Sequence, residues 1–124
     1  MSQAECFLLD VGQGTSQIIL LPDGNAIVID CGPRGSATVP MRLLDRYLEG
    51  SIEALVISHN DADHDGAAAR LFEQYASRIK HVCFLRDRPP RRINLLSLVV
   101  AEQRSGRFRG RHEASVYADD AAML

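Results

Sequence analysis

Short apolar runs separated by polar turns make up most of this chain. Five of these runs predict β-strands because they are rich in β-branched and aliphatic residues, at 5–10, 15–21, 26–30, 52–58 and 81–85. The fourth run is continuously apolar, which is typical of a strand buried on both faces. Residues 114–117 predict the start of one more strand.

Between the strands, apolar residues recur at helical spacing and predict three helices, at 40–49, from 65 or 66 to 75, and at 93–104. The apolar run of the third is also compatible with a strand. Pro40 suits the first position of the first helix, after Thr38 or Val39, and Gly50 suits the left-handed position just beyond its end. Because strands and helices alternate, the sequence predicts an α/β fold around a mixed sheet. Residues 1–124 offer no obvious point of division and are predicted to form one domain.

The densest polar segment, "SHNDADHDG" at 58–66, directly follows the fourth predicted strand. The first and third predicted strands also end in aspartates, Asp10 and Asp30. If these strand ends meet at one edge of the sheet, the carboxylates crowd together, and their repulsion raises their pKa values unless a cation neutralises them. Histidines among the carboxylates indicate a transition metal. The alternative is a helix cap with solvated neighbours.

Spacing within this segment suits two metal ions. His59 and Asp61 are two residues apart and can face the same way, while Asp63 and His64 follow just before a predicted helix. Two-metal sites favour hydrolysis because they bind both the attacking and the leaving oxygen. The N-terminus of the following helix favours an anionic substrate.

The net charge of −2 is unevenly distributed. Residues 1–65 hold ten acidic residues and three arginines, whereas residues 86–111 hold eight arginines and two acidic residues. This asymmetry is expected of a cation site beside a polyanion site, although a solvated arginine-rich face is the alternative. In "RDRPPRR" at 86–92, the candidate phosphate contacts are Arg86, Arg88, Arg91 and Arg92.

The three cysteines, Cys6, Cys31 and Cys83, are odd in number and lie in or beside apolar runs. They predict reduced, buried thiols and a cytoplasmic protein. No apolar run approaches the roughly 18 residues of a membrane helix, and residues 1–14 lack the basic region of a signal peptide.

Two stretches resemble a known family. His59, Asp61, Asp63 and His64 occupy the positions of the second motif of the metallo-β-lactamase superfamily, His-x-His-x-Asp-His, with Asp61 in place of the second histidine. The stretch "LLDVGQGTSQIILLPDGNAIVIDCG" is similar to the subgroup typified by the hydrolase domain of ComEC-type DNA-uptake proteins. Its hallmark is "DVGQGD" followed by a strand, a Pro-Asp-Gly turn and "IDCG"; here Thr15 replaces the aspartate. The resemblance covers residues 5–85.

The resemblance implies the N-terminal half of an αββα sandwich, with helices on one face of a mixed sheet and one or two metal ions at its edge. His59 and Asp61 would bind the first ion and Asp63 and His64 the second. Asp63 would also orient the hydrolytic water. Because a carboxylate replaces an imidazole, Mn²⁺ becomes a rival to Zn²⁺.

The resemblance also implies roles for two upstream aspartates. Asp30, in "VIDCG", would support the loop of metal ligands, and Asp10 would lie behind the ligands or beside the substrate.

In the superfamily, further metal ligands come from the second half of the domain, and the residues after His64 do not show these motifs. Only His81 and His112 follow His64, and neither has the family's usual surroundings. A fragment, one chain of a split hydrolase, and a degenerate half-domain kept for binding all remain open. Each would expose an apolar sheet face, which soluble monomers avoid, so each predicts a partner: the missing half, a second copy or another protein chain.

Three functions therefore remain. The favoured one is a metal-dependent phosphodiesterase, a nuclease acting on DNA, that is active only when the domain is completed. The second is a hydrolase of a small ester, lactam or thioester, because a fold does not determine its substrate. The third is a non-catalytic interaction module in a larger assembly.

Overall fold

The computed structural model describes residues 3–12, 15–32, 35–57, 67–84 and 94–114. These residues form one six-stranded sheet, in which strands follow each other in space as they do in sequence. The strands are β1 (Glu5–Leu8), β2 (Ser16–Leu20), β3 (Ala26–Cys31), β4 (Ile52–Ile57), β5 (His81–Phe84) and β6 (Arg111–Ala114). The helices are α1 (Thr38–Tyr47), α2 (Ala67–Tyr75) and α3 (Asn94–Ser105), and a 3₁₀ turn, Ala76–Arg78, follows α2.

Strand direction decides which residues meet at each edge of the sheet. β1, β2 and β3 pair antiparallel, whereas β3, β4, β5 and β6 pair parallel. All strands except β2 therefore end at the same edge, here called the C-terminal edge. The last three end level with one another, because Ile57 pairs with Phe84 and Phe84 pairs with Ala114. The edge where these strands begin is called the N-terminal edge.

The three helices cover one face of the sheet. From β3 to β6, each parallel strand is added on the same side of the one before it. Because such crossovers are right-handed, the helices that form them all lie on one face of the sheet. The buried strand residues on this face alternate with less buried ones, and they pack with Leu44 of α1 and with Leu71 and Phe72 of α2. The apolar ones among these strand residues are Ile18, Leu20, Ala26, Val28, Cys31, Ile52, Leu55 and Val82. The predicted mixed sheet with helices on one face is confirmed.

The other face, here called the open face, carries apolar side chains that are half-buried or exposed. One cross-strand row joins Cys6, Ile19, Ile27 and Ala54. A second row joins Leu8, Gln17, Ile29, Val56 and Cys83, and Leu8 is 76% exposed. Two predictions were wrong here: β4 is not buried on both faces, and Cys6 is exposed. The reason is that the described helices supply a layer on one side only.

The ends of α1 also differ from the prediction. The helix begins at Thr38, so Pro40 is its third residue; the position tolerates proline because the first backbone N–H groups have no helical acceptor. After Tyr47 the chain becomes extended at Leu48 instead of turning left-handed at Gly50. The guanidinium of Arg78 stabilises this end, donating hydrogen bonds to the Leu48 carbonyl at 3.2 Å and to the Gly50 carbonyl at 2.8 and 3.0 Å.

Two smaller observations complete the fold. β6 begins at Arg111, three residues before the predicted strand, because the Arg111 N–H donates to the Lys80 carbonyl at 2.9 Å and continues the parallel pairing. Of the helices in the described ranges, none is both long and apolar enough to cross a membrane.

Candidate metal centre at the C-terminal edge

A β-bulge places Asp30 at the C-terminal edge. Gln17 of β2 pairs with Ile29, but the preceding residue, Ser16, pairs with Cys31, so Asp30 is the extra residue of β3. Bulges re-aim side chains beside functional sites. Because of this bulge, Cys31 stays in the core, 2% exposed, on the same face as Ser16. Asp30, as the extra residue, does not take a buried position between Val28 and Cys31.

Asp30 has the only left-handed backbone among the non-glycine residues that the structure describes, with φ of 57°. Such a conformation costs about 1–3 kcal/mol and persists where surrounding contacts impose it. Two hydroxyls of the opposite strand and its preceding loop supply these contacts. The Ser16 hydroxyl donates to the Asp30 carbonyl at 3.0 Å, and the Thr15 hydroxyl donates to the Asp30 carboxylate at 3.3 Å.

The neighbouring thiol responds to both burial and charge. Burial, and secondly the charge of Asp30, raise the pKa of Cys31 from 9.0 to about 12. Cys31 is therefore a thiol at neutral pH and a poor nucleophile or metal ligand. Its carbonyl accepts a hydrogen bond from the Ser36 hydroxyl at 2.9 Å, which ties the end of β3 to the start of α1.

The loop after β1 rests on the end of β3. Asp10 closes a local turn, because its carboxylate accepts a hydrogen bond from the Gly12 N–H at 3.2 Å. Val11 packs directly against Gly32, where an added Cβ would lie 2.7 Å from the valine side chain. The loop that contains Asp10 thus contacts the residue that follows β3, and Asp10 and Asp30 both lie at the C-terminal edge, which meets the condition set by the sequence.

The predicted metal ligands His59, Asp61, Asp63 and His64 lie outside the described residues. The structure does describe what flanks them: β4 ends at Ile57 at the C-terminal edge, and α2 begins at Ala67. The candidate phosphate contacts Arg86, Arg88, Arg91 and Arg92 also lie outside the described residues, between β5 and α3. Within the described ranges, no group of three or more His, Cys, Asp or Glu side chains could hold a metal.

The two remaining histidines are separated from this edge by the strands that contain them. His81 is the first residue of β5 and lies at the N-terminal edge. His112 is the second residue of β6, pairs with Val82 and is half-buried on the helix-covered side. Both histidines thus lie at or near the starts of their strands, away from the C-terminal edge. In the sequence, too, neither has the surroundings that the family's later metal ligands usually have.

The sequence patterns missed three residues that hold the site together: Thr15, Ser16 and Gly32. Thr15 stands where the motif "DVGQGD" has its last aspartate, and its hydroxyl donates a hydrogen bond to the Asp30 carboxylate. Ser16 is the second residue of the predicted strand 15–21, and nothing in the pattern distinguishes it from its neighbours. Gly32, with φ of 82°, admits Val11, and its signal was its position directly after the aspartate and cysteine of "IDCG".

These features define the class of protein: an α/β half-sandwich in which the strands that precede Asp10, Asp30 and the acidic segment 58–66 end at one edge of the sheet. The family model of the metallo-β-lactamase superfamily matches residues 9–82, and the chain belongs to this superfamily. Over 72 residues, 54% of this chain, it is 36% identical to "Recombination protein 2" of Haemophilus influenzae. The match spans 9% of that protein's length. The resemblance inferred from the motifs is therefore confirmed; members of the superfamily are hydrolases and typically bind zinc.

Proposed function

We propose that this chain is part of a metal-dependent phosphodiesterase, a nuclease acting on DNA, that is active once a second half of the domain or another protein chain completes it. The observation that carries the proposal is the position of the segment 58–66. In the sequence this segment directly follows the central strand β4, and β4 ends at the edge where the bulge holds Asp30. The similarity to a protein named for recombination supports DNA as the substrate.

The donor set of the segment fits a transition metal. His59 and Asp61 would hold one ion, and Asp63 and His64 a second, with Zn²⁺ or Mn²⁺ as the candidates because two imidazoles and two carboxylates suit both. Bound metal would lower the pKa of the attacking water and withdraw charge from the phosphodiester.

The chain's own residues would then position the reaction. Asp63 would orient the attacking water and take up its proton. Asp30, fixed by the bonds from Thr15 and Ser16, would support the ligand segment from the neighbouring strand. The partial positive charge at the start of α2, at Ala67, favours the anionic diester.

The arginines of 86–92 would bind the substrate backbone. They follow β5, which is the neighbour of β4 and ends level with it, since Ile57 pairs with Phe84. Four guanidinium groups, Arg86, Arg88, Arg91 and Arg92, would contact phosphates and make binding fall steeply with salt. The few aromatic residues, three Tyr and four Phe, argue against base stacking as the main contact.

The open face of the sheet supports the proposal that a further layer completes the domain. In its two cross-strand rows Ile19, Ile27, Ile29 and Val56 are half-buried, and Leu8 is 76% exposed. Covering this face would remove apolar surface from water, at about 25 cal/mol per Å². The covering layer, either the rest of the domain or another chain, would also bring the remaining metal ligands. The free thiols support a reducing compartment, and we place the activity in the cytoplasm.

The test is Asp63→Asn in the completed assembly. We expect loss of DNA hydrolysis and of bound metal, measured by nuclease assay and mass spectrometry, with an unchanged far-ultraviolet circular dichroism spectrum. Glu73→Gln is the matched control, because it removes the same charge from an exposed position on α2. Full hydrolysis by the Asp63 variant would refute the mechanism.

A second function, a non-catalytic interaction module, is favoured by the open face alone. Its test is dialysis of the completed assembly against a metal-free buffer. Retention of stoichiometric metal supports the hydrolase, and absence of metal at every stage of purification supports the module. A hydrolase of a small ester, lactam or thioester would retain its metal too, but its substrate binding would not weaken with salt.

A further inference from the structure

The loop between α3 and β6 displays arginines at the N-terminal edge, far from the candidate metal centre. Residues 103–112, "QRSGRFRGRH", contain four arginines and no acidic residue. Arg104, Arg107, Arg109 and Arg111 are all exposed. These four arginines lie around the turn from α3 to β6 at the N-terminal edge, whereas the other four arginines of the basic segment, at 86–92, lie outside the described residues.

The loop is held in place by anchors between its arginines. Phe108 is 1% exposed and packs edge-to-face on Phe72 with ring centres 5.1 Å apart. The Arg107 guanidinium makes a two-point ion pair with the buried Glu102 carboxylate, at 2.5 and 2.6 Å. Gly110 lies so close to the Lys80 carbonyl that a side chain would collide with it. A loop anchored in this way loses little conformational freedom when it binds a ligand.

One of the four arginines, Arg107, forms an ion pair within the described residues, and the other three do not. The ion pair with Glu102 neutralises Arg107, and Glu53 neutralises the neighbouring Lys80 at 3.1 Å. In the described part of the chain, no carboxylate pairs with Arg104, Arg109 or Arg111. These three residues form what is here called the arginine edge. Guanidinium groups bind phosphate oxygens through two parallel hydrogen bonds.

We propose that the arginine edge is a second contact for the nucleic-acid backbone, separate from the metal centre. This proposal rests on the proposed function for the identity of the polyanion. β4 has six residues, so at about 3.3 Å per residue the two edges lie about 20 Å apart. A duplex rises 3.4 Å per base pair, so one substrate reaches both edges only if it is longer than about six base pairs. The arginine edge therefore holds long substrates and does not affect short ones.

Binding is tested on the full chain without metal. Fluorescence anisotropy of a labelled 30-base-pair duplex is followed in EDTA against salt concentration, for the wild type and for Arg109→Ala/Arg111→Ala. We expect roughly tenfold weaker binding at 0.1 M salt and a salt slope smaller by about 2, since each lost phosphate contact removes about 0.9. The matched control is Arg42→Ala/Arg46→Ala, which removes the same charge from exposed positions on α1.

The variant Arg109→Lys/Arg111→Lys keeps the charge and should keep the salt slope, and thermal unfolding checks that all three variants fold. If the α1 control weakens DNA binding as much as Arg109→Ala/Arg111→Ala does, the effect comes from net charge alone, and the proposal is overturned. Binding of all variants to phosphatidylserine vesicles but not to DNA would overturn it too, in favour of a membrane surface.

Hydrolysis separates this proposal from the proposed function. In the completed assembly, the Arg109→Ala/Arg111→Ala variant should cleave bis(p-nitrophenyl) phosphate at the wild-type rate and show a raised KM for long DNA only. No cleavage of either substrate by the wild type would refute the nuclease while leaving the binding result intact. Equal KM values for long DNA in variant and wild type would refute the arginine edge.

Discussion

The Ser16 hydroxyl donates a hydrogen bond to the main-chain carbonyl of Asp30 at 3.0 Å, across the bulge in β3. This bond joins a side chain that is 2% exposed to a residue whose φ is 57°. It holds the left-handed backbone that separates the Asp30 carboxylate from the core, while Cys31 remains inside. The bulge therefore depends on a residue of the neighbouring strand.

The left-handed backbone predicts an unusual order of stability among Asp30 variants. Asp30→Gly should be at least as stable as the wild type, because glycine adopts this conformation freely and the Ser16 bond uses only the main chain. Asp30→Ala should be less stable than Asp30→Gly by about 1 kcal/mol. Urea unfolding measures both. Equal stability of the two variants would show that the backbone does not require the left-handed conformation.

The contact of Gly32 with the loop after β1 predicts a stronger effect than at other glycines. Gly32→Ala would place a Cβ 2.6 Å from the Ser36 hydroxyl and 2.7 Å from Val11, and Val11 would have to move, shifting the loop that holds Asp10. Gly35→Ala is the control, since its φ of 90° imposes the same backbone cost while its surroundings are open. We expect Gly32→Ala to lose about 1–3 kcal/mol more. Similar unfolding midpoints would argue against the contact.

The raised pKa of Cys31 predicts a loss of stability at alkaline pH. Below pH 9 the thiol is protonated in both states. Above pH 9 the unfolded chain releases this proton while the folded protein, with a pKa of about 12, retains it, so the free energy of unfolding falls as the pH rises. Between pH 9 and 10 the wild type should lose about 1 kcal/mol more than Cys31→Ala.

Tyr75 adds to the alkaline loss in both of these proteins. Its pKa is raised by burial and by its hydrogen bond to the Asp45 carboxylate, so its contribution cancels in the comparison. Parallel pH profiles of wild type and Cys31→Ala would contradict the assignment to Cys31.

The exposure of Cys6 on the open face predicts how it reacts with iodoacetamide. In this chain alone, Cys6 should be alkylated at the rate of an ordinary free thiol, and Cys31 only after unfolding. In the completed assembly Cys6 should be protected, because it belongs to the row that the covering layer would bury. Mass spectrometry of tryptic peptides measures both rates, with Cys6→Ser as the control. Unchanged labelling of Cys6 in the assembly would show that the cover lies elsewhere.

The sequence alone determined most elements of the fold and the superfamily to which the chain belongs. Periodicity located five of the six strands and all three helices, because apolar alternation and helical spacing are local properties. From the sequence, a shared edge for Asp10 and Asp30 was only a condition, because it depends on the direction of strand pairing. The motif around His59 and Asp63, together with the glycine-rich turn, indicated the superfamily that the comparison confirmed.

Only the tertiary structure decided how these parts fit together. The bulge at Asp30 requires Ser16, a residue of another strand, and the end of α1 requires Arg78, 30 residues beyond Leu48. Direction of pairing, which no local pattern encodes, placed the end of β5 at one edge of the sheet and Arg109 and Arg111, at the start of β6, at the opposite edge. Long-range contacts of this kind depend on which surfaces meet, and the spacing of residues along the chain does not contain that information.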